Sequence, residues 1–348
     1  MDDFDDSRLD DPEALQAADQ LLRPIAEAGA RVRREAAGAE EALSRLDDAD
    51  RPRAVIAFGP EARLLRAVLE PTCPVPFMAW PRLGLPGWVG PLDVVVVMGR
   101  GSRESCAAAY EAVRRGSRLV VACPPDSALA RQSASPATTL LPTRTDDPLS
   151  AAVVMLSALH RLGLGPVVVP DQLADVLDTV AEDCSYTLDA TQNPAKAAAL
   201  ELADAQPLVW GGSILAARAS RRIAEALRSA SGRVVLSADA GALEPLLADV
   251  RPRDVFADPF EDATAGLRPG LVLIDDGMDD GSAAEERTRL EQIAAARDVT
   301  VSRIASTRGS AVERYVAVLA QGLFTAAYLQ IGLGRADRAD DSLEGPDR

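Results

Sequence analysis

Apolar and polar residues alternate along this chain in blocks of two kinds. Short runs such as Ala54–Phe58, Val75–Trp80, Asp93–Met98 and Arg118–Cys123 are almost wholly apolar, and Thr138–Leu141 is a candidate fifth. They predict buried parallel strands. Between them lie segments with helical spacing, Glu61–Glu70 and Glu104–Arg115. A second set follows. Its predicted strands are Leu208–Trp210, Arg233–Ser237, Asp254–Ala257, Leu271–Asp275 and Val299–Ala305. Its helices are Ile214–Ser229, Gly241–Asp249, Ala283–Arg297 and a last one, Ala311–Ile331, apolar on most sides. Strands alternating with helices predict an α/β protein in which two doubly wound parallel sheets are each flanked by helices.

The remaining blocks set the boundaries. Pro12–Ala49 reads as helix, with Asp11 as cap and Pro12 at its first position. Pro148–Leu162 and Gln172–Ala181 interrupt the alternation and read as a helical connector. The expected organisation is a tail and helix over 1–49, a first domain over 50–147, a connector over 148–192, a second domain over 193–334 and a disordered tail over 335–348.

Each half carries a glycine-containing turn between a strand and a helix. In the second half it is Gly211, Gly212 and Ser213; in the first it is Gly99, Arg100, Gly101, Ser102 and Arg103. Glycine lets backbone approach a ligand, and the helix amino terminus that follows favours an anion. An anion or phosphate pocket is one reading; a turn that is glycine-rich for geometric reasons alone is the other. Ligands of open parallel sheets sit beyond the carboxyl ends of the strands, the edge both turns should face. The spacing Gly99-x-Gly101-x-x-Glu104 approaches a dinucleotide fingerprint, but an acid stands at its third glycine and the turn follows the third strand, so a dinucleotide-binding enzyme is a lesser reading.

Composition narrows the chemistry. The formal net charge of −16 over 348 residues argues against nucleic acid and against an acidic membrane surface. The four cysteines are scattered, and His160 is the single histidine, so no metal site and no cofactor are expected. The acidic opening MDDFDDSRLDD has no apolar core, which leads to the expectation of a cytoplasmic protein. The run Asp275-Asp276-Gly277-Met278-Asp279-Asp280 lacks the ligand spacing of a Ca²⁺ loop and reads as a solvated loop.

The stretch NPAKAAALELADAQPLVWGGSILAARASRR resembles the start of the second sugar isomerase (SIS) domain of bifunctional phosphoglucose/phosphomannose isomerases. WVGPLDVVVVMGRGSRESCAAAYEAVRRGSRLVVACPPDSALA resembles the phosphate-loop region of their first SIS domain, and SAVERYVAVLAQGLFTAAYLQIGLG their closing helix. The likeness spans roughly residues 12–332, and the Arg- and Ala-rich composition suits a diverged actinobacterial branch. It implies two SIS-like domains, a hexose 6-phosphate ligand, aldose–ketose isomerisation and a homodimer. The implied phosphate-binding residues are Gly99, Arg100, Gly101, Ser102, Arg103, Gly211, Gly212, Ser213 and Arg228.

The departures bear on catalysis. The family's phosphate loop is rich in hydroxyls; here it reads Met98-Gly99-Arg100-Gly101-Ser102-Arg103-Glu104. Its other glycine turn has become Gly59-Pro60-Glu61, where Pro60 has no N–H to give. The family's catalytic glutamate position falls near Arg228, its histidine region reads SADAGALEP, and no lysine follows Lys196. Arginine binds phosphate but stays protonated, so it is a poor base. Glu225 and Glu244 are the candidate bases if catalysis survives. Three readings stay open: an isomerase with rebuilt catalysis, a sugar-phosphate-binding regulatory protein, and a structural partner in sugar metabolism with an empty pocket.

Overall fold

A computed structural model describes residues 3–46, 51–80, 84–250, 267–278 and 280–336. Contacts group the chain into two units, one of Ala28–Asp175 and one of Met1–Glu27 with Val176–Arg348.

The opening helical block is three helices rather than one. Asp11 caps α1 (Pro12–Ala17) by accepting from the backbone N–H of Glu13 and Ala14, with Pro12 at the first position. α2 (Asp19–Ala26) contains Pro24, which cannot donate in the helix ladder. α3 (Ala28–Leu43) follows, and it belongs to the Ala28–Asp175 unit.

In that unit β1 (Val55–Phe58) leads to α4 (Ala62–Leu69) and β2 (Phe77–Ala79). β3 (Val94–Met98), α5 (Arg103–Arg114), β4 (Arg118–Cys123), α6 (Ala128–Gln132), β5 (Thr138–Pro142) and α7 (Pro148–Arg161) complete it. The sheet is parallel with order β2-β1-β3-β4-β5. Every residue of β3 is buried, as a strand covered on both faces requires. Alternate residues divide between the layers. Ile56, Phe58, Val95, Val97, Leu119 and Val121 pack with Ala108, Ala109 and Ala112 of α5. Helix α7, expected as a connector, packs against β3, β4 and α3. Glu35 of α3 is buried because its carboxylate accepts from the backbone N–H groups of Arg144 and Thr145.

α8 (Pro170–Asp183) starts in the first unit and ends in the second. Then come α9 (Pro194–Glu201), β6 (Ala205–Gly211), α10 (Ile214–Ser231), β7 (Leu236–Ser237) and α11 (Ala240–Ala248). After them are β8 (Arg268–Asp275), α12 (Gly281–Ala296), β9 (Val301–Ala305) and α13 (Ala311–Gly332). The sheet is again parallel, with order β7-β6-β8-β9. The strand expected at Arg233–Ser237 is only the two residues of β7, and the one expected at Asp254–Ala257 lies outside the described residues. Leu208, Trp210, Leu271 and Leu273 face Leu243 and Leu247 of α11 and Leu290 of α12. The opposite face meets α10, on which α13 packs.

α13 is long and apolar enough to cross a membrane, yet 83% of its most apolar window is buried inside the protein, so it is a core helix. Ser310 and Glu313 close its amino terminus with a reciprocal capping box. Its apolar faces are covered by α9, α10 and α2 of the same chain, so its composition needs no second subunit to account for it.

Candidate functional site

The strand orders place the site. In each sheet the order reverses beside the first strand of the set, between β1 and β3 and between β6 and β8. Connections leave in opposite directions there, and a crevice opens beyond the carboxyl ends of the two strands. The glycine turns after β3 and after β6 stand at those positions.

At the β6–α10 corner the backbone is tightly packed. A Cβ on Gly211 would stand 2.4 Å from the carbonyl of Ala216, so the first turn of α10 lies directly on the strand end. A Cβ on Gly212 would stand 2.7 Å from the Trp210 ring and 2.8 Å from Ala283. Ser213 caps α10, its hydroxyl oxygen accepting from Ala216 N at 2.9 Å. That same hydroxyl donates to Asp276 Oδ2 at 2.5 Å. Asp276 is buried, and its Oδ1 accepts from Met278 N at 3.3 Å.

The solvated-loop reading of the acidic run therefore needs correcting at Asp276. β8 is the hydrogen-bonded neighbour of β6, so the residue just beyond β8 falls against the residue just beyond β6. Its negative charge sits at the amino end of α10, where an anion from solution would be expected. Asp275 pairs with Arg287 at 3.2 Å and caps the turn at Gly277. Asp279 lies outside the described residues.

At the β3–α5 corner Gly99 and Gly101 both have positive φ, 109° and 99°, which side-chain-bearing residues rarely adopt. Ser102 caps α5, accepting from Ser105 N at 3.2 Å. Arg100, Ser102 and Arg103 are exposed. Arg100 reaches Asp146 at 3.4 Å across open surface, a contact of small energy. The β1–α4 corner touches this one: a Cβ on Gly99 would stand 3.6 Å from Pro60 Cδ, and Glu61 beside it is buried. Cys106 and Cys123 lie beneath the corner, and burial raises both thiols.

The other candidates stand elsewhere. Arg228 is fifteen residues along α10 from Ser213, about 22 Å at helical rise, and donates to Val235 O at 2.7 Å. Its guanidinium closes the far end of the helix and is not brought to the Gly211–Ser213 turn. Glu225 is exposed and pairs with Arg222 at 3.1 Å. Glu244 pairs with Arg289 at 2.7 Å. His160 contacts Gly165 O through Nδ1 at 3.1 Å, on the edge of a cavity of about 520 Å³ that Glu40, Ser157 and Arg161 also line. That cavity shares no lining residue with either glycine corner. Among the described residues no cluster of three or more His, Cys, Asp or Glu could hold a metal ion.

Comparison with known proteins bears on this arrangement. Residues 191–335 match the family model of the bacterial phospho-glucose isomerase C-terminal SIS domain. No curated protein matches the chain by sequence. Tagatose-6-phosphate ketose/aldose isomerase from Escherichia coli superposes with TM-score 0.60 at 11% identity, over 91% of this chain and 92% of that one. The C-terminal domain of glucosamine-fructose-6-phosphate aminotransferase from Francisella tularensis gives 0.61 at 12%, over 90% and 96%. A glucose-6-phosphate isomerase like protein from Thermus thermophilus gives 0.53 at 17%, over 89% and 96%. The fold is that of the SIS phosphosugar isomerases. The likeness covers both units, whereas the family model covers only the second. At these identities the superpositions carry the α/β architecture, and the residues at the two crevices are this chain's own.

Proposed function

We propose that the protein binds a hexose 6-phosphate at the β3–α5 corner and does not isomerise it. The observation that carries the reading is the contrast between the corners. One presents exposed Arg100 and Arg103, with the exposed carboxylates Glu104 and Asp146, near a capped helix amino terminus; the other already holds the buried carboxylate of Asp276 against its helix cap. Two guanidinium groups beside backbone N–H donors suit a phosphate dianion.

Isomerisation needs a base next to the carbonyl and an acid for ring opening. Among the described residues neither corner holds a histidine or a lysine; the carboxylates there are Glu104, Asp146 and the neighbouring Glu61 at one and Asp276, held by Ser213, at the other. Glu225 and Glu244 are engaged with arginines on helix surfaces, His160 sits at the end of α7, and the chain's single lysine, Lys196, is fully buried. A second reading, a structural or regulatory partner with closed crevices, is favoured by the tight β6–α10 corner, where a Cβ on Gly212 would stand 2.7 Å from the Trp210 ring.

Thermal shift with glucose, fructose and mannose 6-phosphates decides between them. A ligand at 100 times its dissociation constant adds about 2.7 kcal/mol. The double substitution Arg100→Glu, Arg103→Glu should abolish that shift, and unphosphorylated glucose should give none. No shift with any phosphate supports the second reading. Turnover near about 10 per second in a coupled isomerase assay would refute the loss of chemistry.

A further inference from the structure

Lys196 is the chain's single lysine, and its side chain is wholly buried. Such a charge needs partners, since desolvating an ammonium without them is costly. Its Nζ donates to Tyr186 O at 3.0 Å and to Asp10 Oδ1 at 2.7 Å, and lies 5.6 Å from the centroid of the Tyr328 ring. The Tyr328 hydroxyl donates to Cys184 O at 2.6 Å. Tyr186, Cys184 and Tyr328 belong to the body of the unit. Asp10 arrives from 186 residues away and is itself 63% exposed.

Asp10 ends a short stretch, residues 3–10, laid over the carboxyl end of α13. Asp5 N donates to Gly332 O at 2.8 Å, and Arg8 Nε donates to Ile331 O at 2.9 Å. The Phe4 ring packs on Gly332 so closely that a Cβ there would stand 2.2 Å from it. Leu9 is the one fully buried side chain of the stretch; Asp3, Asp5, Asp6, Ser7 and Asp10 are exposed. Few buried contacts and several exposed polar ties put local opening at the low end of the protein's free-energy range.

We propose that residues 3–10 form a strap that opens as a unit, with the Asp10–Lys196 ion pair as its latch. Closed, the strap seals the only lysine and clamps the end of α13. Open, it presents an ammonium backed by one carbonyl and an aromatic face, a seat for a carboxylate, of which the Asp10 side chain is the resident example. The charged groups at the latch are Lys196, Asp10 and Asp189, whose carboxylate feels the Lys196 charge; Arg8 ties the strap to α13 through Ile331 O.

The single lysine makes the test clean. The intact protein is treated with a water-soluble acetylating ester, and acetylation of the peptide carrying Lys196 is followed by mass spectrometry against denatured protein. The expected result is slow labelling of the wild type, whose rate stays flat in low urea, because a strap opening exposes little surface. Asp10→Asn should speed labelling about tenfold, as should Arg8→Ala, while the main cooperative unfolding transition is kept. Added salt should speed the wild type, since the latch is reached by solvent at Asp10. A wild-type rate that climbs steeply with urea would mean that only global unfolding frees the amine, and would overturn the proposal without any variant. Unchanged labelling in both variants, or wild-type labelling as fast as in denatured protein, would overturn it as well.

Discussion

Replacing Asp276 probes the second crevice directly. Its carboxylate is buried and takes the Ser213 hydroxyl at 2.5 Å, at the amino end of α10. An incoming anion about 5 Å away, at an effective dielectric near 20, is opposed by about 3 kcal/mol per unit charge. That is about two orders of magnitude in affinity. Asp276→Asn removes the charge and keeps an oxygen that accepts from Ser213. Asp276→Ser removes the charge and opens space. Both should gain binding of inorganic phosphate and hexose 6-phosphates by about a hundredfold, measured by calorimetry at low ionic strength. Their stabilities should separate. Asp276→Ser gives up a hydrogen bond to a charged group, about 1.5–3 kcal/mol, and Asp276→Asn loses less, both read from urea midpoints. If neither variant binds phosphate better than the wild type, Asp276 is not what keeps anions from the corner and the electrostatic reasoning fails. If both variants unfold at the wild-type midpoint, the bond to Ser213 contributes nothing.

Two other outcomes follow from packing and burial. Gly211→Ala drives a Cβ to 2.4 Å from the Ala216 carbonyl, backbone that can move only if α10 lifts from β6, so it should cost about 3 kcal/mol. Gly241→Ala in α11, with nothing within 4 Å, should be neutral or stabilising by up to about 1 kcal/mol, and equal urea midpoints for the two variants would contradict the clash. For pH, burial pushes the Cys184 thiol from 9.0 up to about 12, and burial raises Tyr328 as well. The unfolded chain then releases protons that the folded one keeps, so stability should fall as pH rises from about 9 towards 12. Urea midpoints across that range check it, and Cys184→Ala should flatten the fall; a wild-type profile level through that window would contradict the burial.

Much of the fold is written in local pattern. Apolar runs such as Val94–Met98 permit only buried strands, and helical spacing with caps at Asp11, Ser213 and Ser310 sets where helices begin. Both glycine corners were legible for the same reason, since a strand, a glycine turn and a helix amino terminus are local features. What the corners contain was not. Asp276 is 63 residues from Ser213 and meets it only because β8 pairs with β6, a register that belongs to the sheet. Arg228 matched by its place along the sequence, but the rise of α10 carries it to the far end of that helix. Lys196 likewise read as one residue of an NPAK segment, while its ion-pair partner Asp10 lies 186 residues earlier. The sequence by itself determined the layered α/β plan and the two turns, because hydrophobic periodicity and backbone preference act over a few residues. Only the tertiary structure decided which charges those turns face, because electrostatic neighbours are set by strand order and helix packing across the chain.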